Sequence, residues 1–222
     1  MDRRRGRTPA LLAAAALVAV VAPALEAQAW NYPAFQTPRT VVREFNVAIA
    51  DADRSGTSLV FQWREGSGVR SQFSFDVGFA DPDPGDTRFL FGGQYAYQMA
   101  RASADMPLDF LLTAGFNAAV GETPNFFRIP IGVVLGHRFP LEGQLSLTPF
   151  LHPKLMVEFC DGCFGADDDS DIGIGFDVGV NFEFTRQLAM RFALVLGGTD
   201  LFDGDNGFGF SLAWTPAAAV RR

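Results

Sequence analysis

Residues 172–184 constrain the fold more than any other stretch, because apolar side chains alternate there with small or polar ones. The even positions are isoleucine, valine or phenylalanine, and the odd positions are glycine, aspartate, asparagine or glutamate. Successive side chains of a β-strand point to opposite faces, so this stretch predicts a strand with one apolar and one polar face. The same pattern recurs along the chain with charged residues on the second face. This recurrence predicts a closed barrel with an apolar outside and a polar lumen.

Ten alternating segments follow one another along the chain. They are 43–51, 57–65, 71–79, 88–99, 108–119, 127–139, 145–159, 172–184, 188–197 and 207–214. The sequence therefore predicts an all-β, closed, antiparallel up-and-down transmembrane β-barrel of ten strands over residues 43–214. Eight strands remain an alternative if the first pair or the proline-bearing region is misassigned. Because proline cannot donate to a ladder, Pro130, Pro149 and Pro153 predict one or two β-bulges.

The N-terminus predicts export. Residues 1–29 combine an arginine-rich start, an alanine- and leucine-rich run and an Ala-Gln-Ala end, which together predict a cleaved signal peptide. An uncleaved anchor helix is the alternative, but Pro23 interrupts the run, and the run is short for a bilayer. Residues 30–42 contain two prolines without periodicity and are predicted to be a periplasmic lead-in. Residues 215–222 form a C-terminal tail in this interpretation.

The charge of the chain excludes one class of partner. It has 25 acidic and 18 basic residues, a formal net charge of −7, and the predicted leader would remove four of the arginines. Nucleic-acid binding needs a basic face, so we expect no nucleic-acid partner.

The leader, the ten alternating segments and the aromatic-rich last segment resemble a small bacterial outer-membrane β-barrel protein. The resemblance covers essentially the whole chain after the leader, and it rests on the pattern without a diagnostic motif. It implies a location in the cell outer membrane, contact with outer-membrane lipid and recognition by the barrel-assembly machinery. Trp214 matches the terminal aromatic residue that this machinery reads, although eight residues follow it here. We expect a monomer.

Charged residues recur on the predicted inward face. These candidate lumen residues are Glu44, Asp76, Asp109, Glu158, Asp177 and Glu183 with Arg64, Arg88, Arg128, Lys154 and Arg191. Isolated charges inside a narrow barrel are costly, so we expect the six acids and five bases to pair with one another. The alternative is a narrow aqueous path whose charges select ions. The near balance of charges favours pairing and a plugged lumen.

Two further motifs could bind metals or form covalent links. Cys160 and Cys163 are predicted to form a local disulfide, as expected in an exported protein. A zinc site lacks ligands, because the chain has only these two cysteines and two histidines. The aspartate-rich stretches that open at Asp51 and Asp203 resemble calcium loops but lack the closing acid, because the twelfth positions are Gln62 and Trp214. Residues 167–171 could hold calcium only weakly, so these loops are interpreted as solvated surface. No metal and no cofactor is predicted.

The sequence favours a barrel with a structural or small-solute passage role over two alternative functions. A lipid-modifying barrel enzyme would need a Ser/His/acid set at the outer rim. His152 is predicted to point inward in mid-strand and His137 to lie near the inner rim, so the sequence predicts no enzyme. A soluble exported ligand-binding β-barrel would need its apolar rows inside, and ten such rows would overfill the lumen.

Overall fold

The computed structural model describes residues 33–52, 56–82, 85–122, 125–161, 169–198 and 206–220. The elements in these ranges are β1 (Arg43–Ala52), β2 (Gly56–Gly66), β3 (Ser71–Asp81), β4 (Arg88–Ala100), β5 (Asp109–Val120), β6 (Asn125–Gly136), β7 (Phe139–Pro140), β8 (Ser146–Asp161), β9 (Asp169–Glu183), β10 (Leu188–Gly198), β11 (Gly207–Trp214) and the short helix α1 (Ala217–Val220). Among the described residues, no helix is long and apolar enough to cross a membrane.

The ten long strands form a closed antiparallel barrel. Sequential strands pair with each other, β1 pairs with β11, and β6 pairs with β8 beyond the two-residue strand β7. The described sheet therefore closes on itself, which satisfies the main-chain groups that an open edge would leave unpaired. Each predicted segment corresponds to one long strand. The prediction of an all-β closed antiparallel barrel is confirmed, with ten strands instead of eight.

Side chains alternate between the lumen and the outside, as the sequence predicts. In β1, Asn46 and Ala48 are buried, whereas the intervening Val47 and Ile49 are 51% and 53% exposed. The other long strands repeat this pattern, and most of the exposed large apolar side chains lie on the outer face. This is the reverse of a water-soluble barrel, in which the apolar face lines the interior.

The β-bulges predicted at the prolines do not occur in the described ladders. The register of β8 with β9 is constant through Pro149 and Pro153. The β6–β8 pairing is interrupted at Pro153 but resumes in the same register. The β5–β6 pairing is interrupted at Pro130 but resumes in the same register. A proline removes only one main-chain N–H from the ladder. A strand can therefore keep its register if the neighbouring residues still form their hydrogen bonds. The register shift lies instead in the β4–β5 pairing, between Gln98 and Ala100.

Residues 33–41, the luminal segment, lie inside the barrel before the chain enters β1. Phe35 is 0% exposed and Gln36 is 1% exposed. A side chain at Gly209 on β11 would approach the Phe35 ring, because a Cβ there would lie 2.6 Å from Phe35 Cζ. The sequence predicts a periplasmic lead-in over 30–42, and the structure places residues 33–41 of it in the lumen. The sequence of this segment has no periodicity that would indicate burial. The side chains that bury it belong to strands that are distant in the sequence.

Candidate functional site in the barrel lumen

The luminal segment is held by the side chains of three inward-facing glutamines, one each on β2, β3 and β4. The hydrogen bonds are Gln62 Nε2 to Ala34 O (3.4 Å), Gln72 Nε2 to Gln36 Oε1 (2.9 Å), Gln98 Nε2 to Pro38 O (3.0 Å), Thr40 N to Gln98 Oε1 (3.1 Å) and Val41 N to Gln72 Oε1 (2.9 Å). Buried main-chain groups need partners, and these amides supply both donors and acceptors. The segment is thus matched to the lumen wall along its length.

Charged side chains fix the segment at two levels. In the middle of the lumen, Ala34 donates its N–H to Asp177 Oδ2 (3.2 Å) and accepts a hydrogen bond from Arg64 Nη2 (2.8 Å) at its carbonyl. Further along the segment, just before β1, Arg39 Nε lies 2.8 Å from Asp109 Oδ2, and the Asp109 carboxylate is fully buried. Hydrogen bonds to charged groups are stronger than neutral ones, so these contacts anchor the segment more firmly than the glutamines alone would.

Glu44 is the centre of the first buried charge network. Its carboxylate binds Arg64 Nη1 at 2.6 Å and Arg191 Nη2 at 2.6 Å, and all three side chains are almost fully buried. Arg191 also donates from Nε to Asn181 Oδ1 at 2.9 Å. Two guanidinium groups share this carboxylate, and the nearby Asp76 also interacts electrostatically with Arg64. The network joins β1 to its neighbour β2. It also joins β1 to β10, which lies on the other side of β11.

Asp177 is the centre of the second network. Its Oδ1 accepts a hydrogen bond from Lys154 Nζ at 2.7 Å, and its Oδ2 lies 3.1 Å from His152 Nδ1. The other ring nitrogen, His152 Nε2, lies 2.8 Å from Thr113 Oγ1. The chain of contacts therefore runs from β5 to β8 and β9, over the intervening strand β6.

Thr113, His152 and Asp177 share the connectivity of a hydrolase triad, in which an imidazole bridges a hydroxyl and a carboxylate. Here, however, the three residues are 2%, 1% and 0% exposed, and Asp177 also binds a lysine and the luminal segment. A catalytic hydroxyl needs room for a substrate carbonyl beside it. The enclosed geometry instead suits a polar cross-link between strands.

Two of the remaining predicted lumen charges face each other across a strand pair. Arg128 of β6 is the register partner of Glu158 of β8, and the two side chains form an ion pair. Asp76 of β3 is partly exposed and lines a small cavity of about 40 Å³ together with Arg128 and Lys154. A cavity of this size holds about one or two water molecules. This cavity therefore has no room for a solute much larger than water.

The last two predicted lumen charges lie near the ends of the barrel. Arg88 packs over the ring of Phe126, with Cζ 4.9 Å from the ring centroid. Glu183 lies 2.7 Å from Arg138 Nη2. Arg138 and Arg39 are partners that sequence reasoning missed. Arg39 lies before the first strand, where no alternation indicates which way a side chain points. Arg138 falls in the predicted segment 127–139 but lies beyond the end of β6 at Gly136.

The predicted disulfide stays a prediction. Cys160 is buried near the end of β8, and Cys163 lies outside the described residues. Most of the aspartate-rich loops at 161–171 and 200–205 lie outside them as well. In the part of the chain that the structure describes, no group of three or more histidine, cysteine, aspartate or glutamate side chains could hold a metal ion.

No protein-family model matches the sequence, and no curated protein matches it significantly. Solved structures with a similar fold include the crystal structure of Neisserial surface protein A, at 13% identity and a TM-score of 0.41, covering 77% of this chain and 92% of that one. Another is the KdgM porin in complex with disordered oligogalacturonate, at 12% identity and a TM-score of 0.40, covering 78% and 99% of the two chains. Both TM-scores are below 0.5, so the fold assignment rests on the closed strand pairing described above.

Proposed function

We propose that the protein is an outer-membrane β-barrel that is closed at rest by its own luminal segment. In this state it has a structural role in the envelope. The hydrogen bonding of residues 33–41 to the lumen wall is the observation that carries the proposal. It shows a segment with dedicated partners on β2, β3 and β4.

The outer surface supports a membrane location. Exposed apolar side chains occur on all ten long strands, including Phe75 at 53% and Phe210 at 38%. Water-soluble monomers rarely expose apolar surface that is continuous around the molecule, whereas a lipid-facing barrel requires it. Tyr95, Tyr97 and Trp214 lie near the rim where β1 begins, called here the terminal rim. Aromatic residues near one rim are typical of a membrane-interface girdle.

Small-solute passage after release of the segment is the second candidate. No strand occurs in the described residues 33–42, so the segment is attached mainly by side-chain contacts rather than by a ladder. A cavity of about 450 Å³ already lies between the segment and the opposite wall. Removing the segment would join this cavity to the space that it vacates. The candidate therefore predicts a pore that exists only when residues 33–41 are displaced.

Single-channel recording in planar bilayers tests both candidates. The wild-type protein is expected to be silent, because the segment fills the lumen. A Gln72→Leu/Gln98→Leu variant removes two of the glutamine clamps and should show discrete conductance steps. Gln94→Leu is the matched control. Gln94 is a glutamine of β4 that lines the small cavity, and no hydrogen bond from it to the luminal segment is described.

Two outcomes separate the candidates. Steady conductance of the wild type would contradict a closed resting state. Silence of the double variant and of a variant lacking residues 33–41 would reject passage and leave the structural role. Each variant must first migrate as the compact form before boiling, so that a folding defect is recognised as such.

A further inference from the structure

The cavity at the terminal rim, called here the vestibule, has the features of a ligand site. It has a volume of about 450 Å³ and lies between the luminal segment, the inner ends of β8–β10 and the turn at 185–187. This volume lies in the ~300–1,000 Å³ range of small-molecule sites. Its charged lining residues are Arg39, Arg138, Arg186, Arg191, Glu44 and Glu183.

The vestibule is positively charged although the whole chain is acidic. Four arginines and two glutamates line it, in a chain whose formal net charge is −7. Both glutamates are already bound by several donors. Glu44 binds two arginines, and Glu183 accepts hydrogen bonds from Arg138, Ser146 Oγ (2.6 Å) and Asn181 Nδ2 (3.3 Å). Arg39 is paired with the buried Asp109, so the cationic surplus of the lining comes from Arg186 and from the second arginine at Glu44.

Arg186 contributes the accessible part of this surplus. It is exposed in the tight turn between β9 and β10, and no ion pair of Arg186 is found among the described residues. Arg39 also reaches the vestibule, with 43% of its side chain exposed beyond its contact with Asp109. A guanidinium group can bind a carboxylate or a phosphate through two parallel hydrogen bonds.

Threonine hydroxyls supply additional donors around the arginines. They belong to Thr37, Thr40, Thr148, Thr185 and Thr215. Hydroxyl and guanidinium donors in one concave site complement an oxyanion with several charges, and the cationic surplus would repel polyamines. We propose that the vestibule binds a small polyvalent anion that carries carboxylate or phosphate groups. This proposal rests on the vestibule of the closed barrel and does not require that the barrel conduct.

Calorimetric titration of the folded, detergent-solubilised protein tests this site. The probes are citrate for carboxylates, inorganic pyrophosphate for phosphates, and sucrose as a neutral solute of similar size. We expect one of the two anions to bind with 1:1 stoichiometry and sucrose not to bind. Stronger binding of citrate or of pyrophosphate identifies which oxyanion group the site prefers.

Arg186→Gln should weaken binding of the preferred anion at least about tenfold, since one charge-assisted contact is lost. Arg70→Gln is the matched control, because Arg70 is also an exposed arginine in a short turn but does not line the vestibule. Its affinity should equal that of the wild type. Absence of 1:1 binding by both anions, or an equal loss in the two variants, would overturn the proposal.

Discussion

Thr113 of β5 and His152 of β8 contact each other over the strand that separates them. Thr113 Oγ1 and His152 Nε2 lie 2.8 Å apart, and β6 runs between their strands. Gly132 is the β6 residue paired with Thr113, and its missing side chain leaves the space that the imidazole uses. A Cβ at position 132 would lie 2.9 Å from His152 Nε2 and 2.5 Å from the carbonyl oxygen of Pro153. A glycine thus allows polar contact between non-adjacent strands.

Gly132→Ala should therefore destabilise the barrel. The new methyl group must displace His152 or shift the β8 backbone, and overpacking of this kind costs about 1–3 kcal/mol. The measurement is the temperature at which the compact form is lost on electrophoresis without boiling. Gly121→Ala is the control, since a Cβ there meets its nearest neighbours at an ordinary 3.4 Å. Equal behaviour of the two variants would contradict the role given to Gly132.

Glu44→Gln should destabilise the protein strongly. It would leave Arg64 and Arg191 buried next to a neutral amide, and breaking a buried ion pair from one side typically costs about 3–5 kcal/mol. The change can be followed by urea unfolding in lipid vesicles. Glu65→Gln is the comparison, because the Arg43–Glu65 pair is solvent-exposed and should contribute little. If both variants unfold at the same urea concentration, the Glu44 network is not a stabilising element.

A charge on the outer face should be costly only where the wall meets lipid. Phe75 lies in the middle of β3 and is 53% exposed, whereas Val69 lies in a short turn and is 85% exposed. Phe75→Arg should lower the free energy of unfolding in vesicles by about 2–4 kcal/mol, because arginine is poorly tolerated near the bilayer centre. Val69→Arg should have almost no effect. Tolerance of Phe75→Arg would argue against a lipid-facing wall.

The cysteine pair gives a prediction that mass spectrometry can check. Cys160 and Cys163 should resist alkylation in protein isolated from the cell envelope until a reductant is added, because they are expected to form a disulfide. The bridge closes only a short loop, so a Cys160→Ser/Cys163→Ser variant should retain most of the barrel's heat stability. Immediate labelling of both thiols under non-reducing conditions would contradict the predicted bond.

The sequence by itself determined the wall of this barrel. In strands such as β3 and β9, the period of two assigns each side chain to the lumen or to the outside, and turn residues mark where the strands end. That information is local, so neighbouring residues carry all of it. The order of the strands follows because each segment pairs with the next one along the chain, whereas ten strands instead of eight were decided by the closed pairing in the structure.

The contents of the barrel were decided only by the tertiary structure. Alternation places Asp177 and Glu44 inside, but it does not show that Asp177 binds Lys154 or that Glu44 binds Arg191, 147 positions away. The burial of residues 33–41 is likewise invisible in the sequence, since the amides and carboxylates that bind them belong to distant strands. Pairing in the lumen depends on closing the sheet, because closure brings these distant side chains within hydrogen-bonding distance.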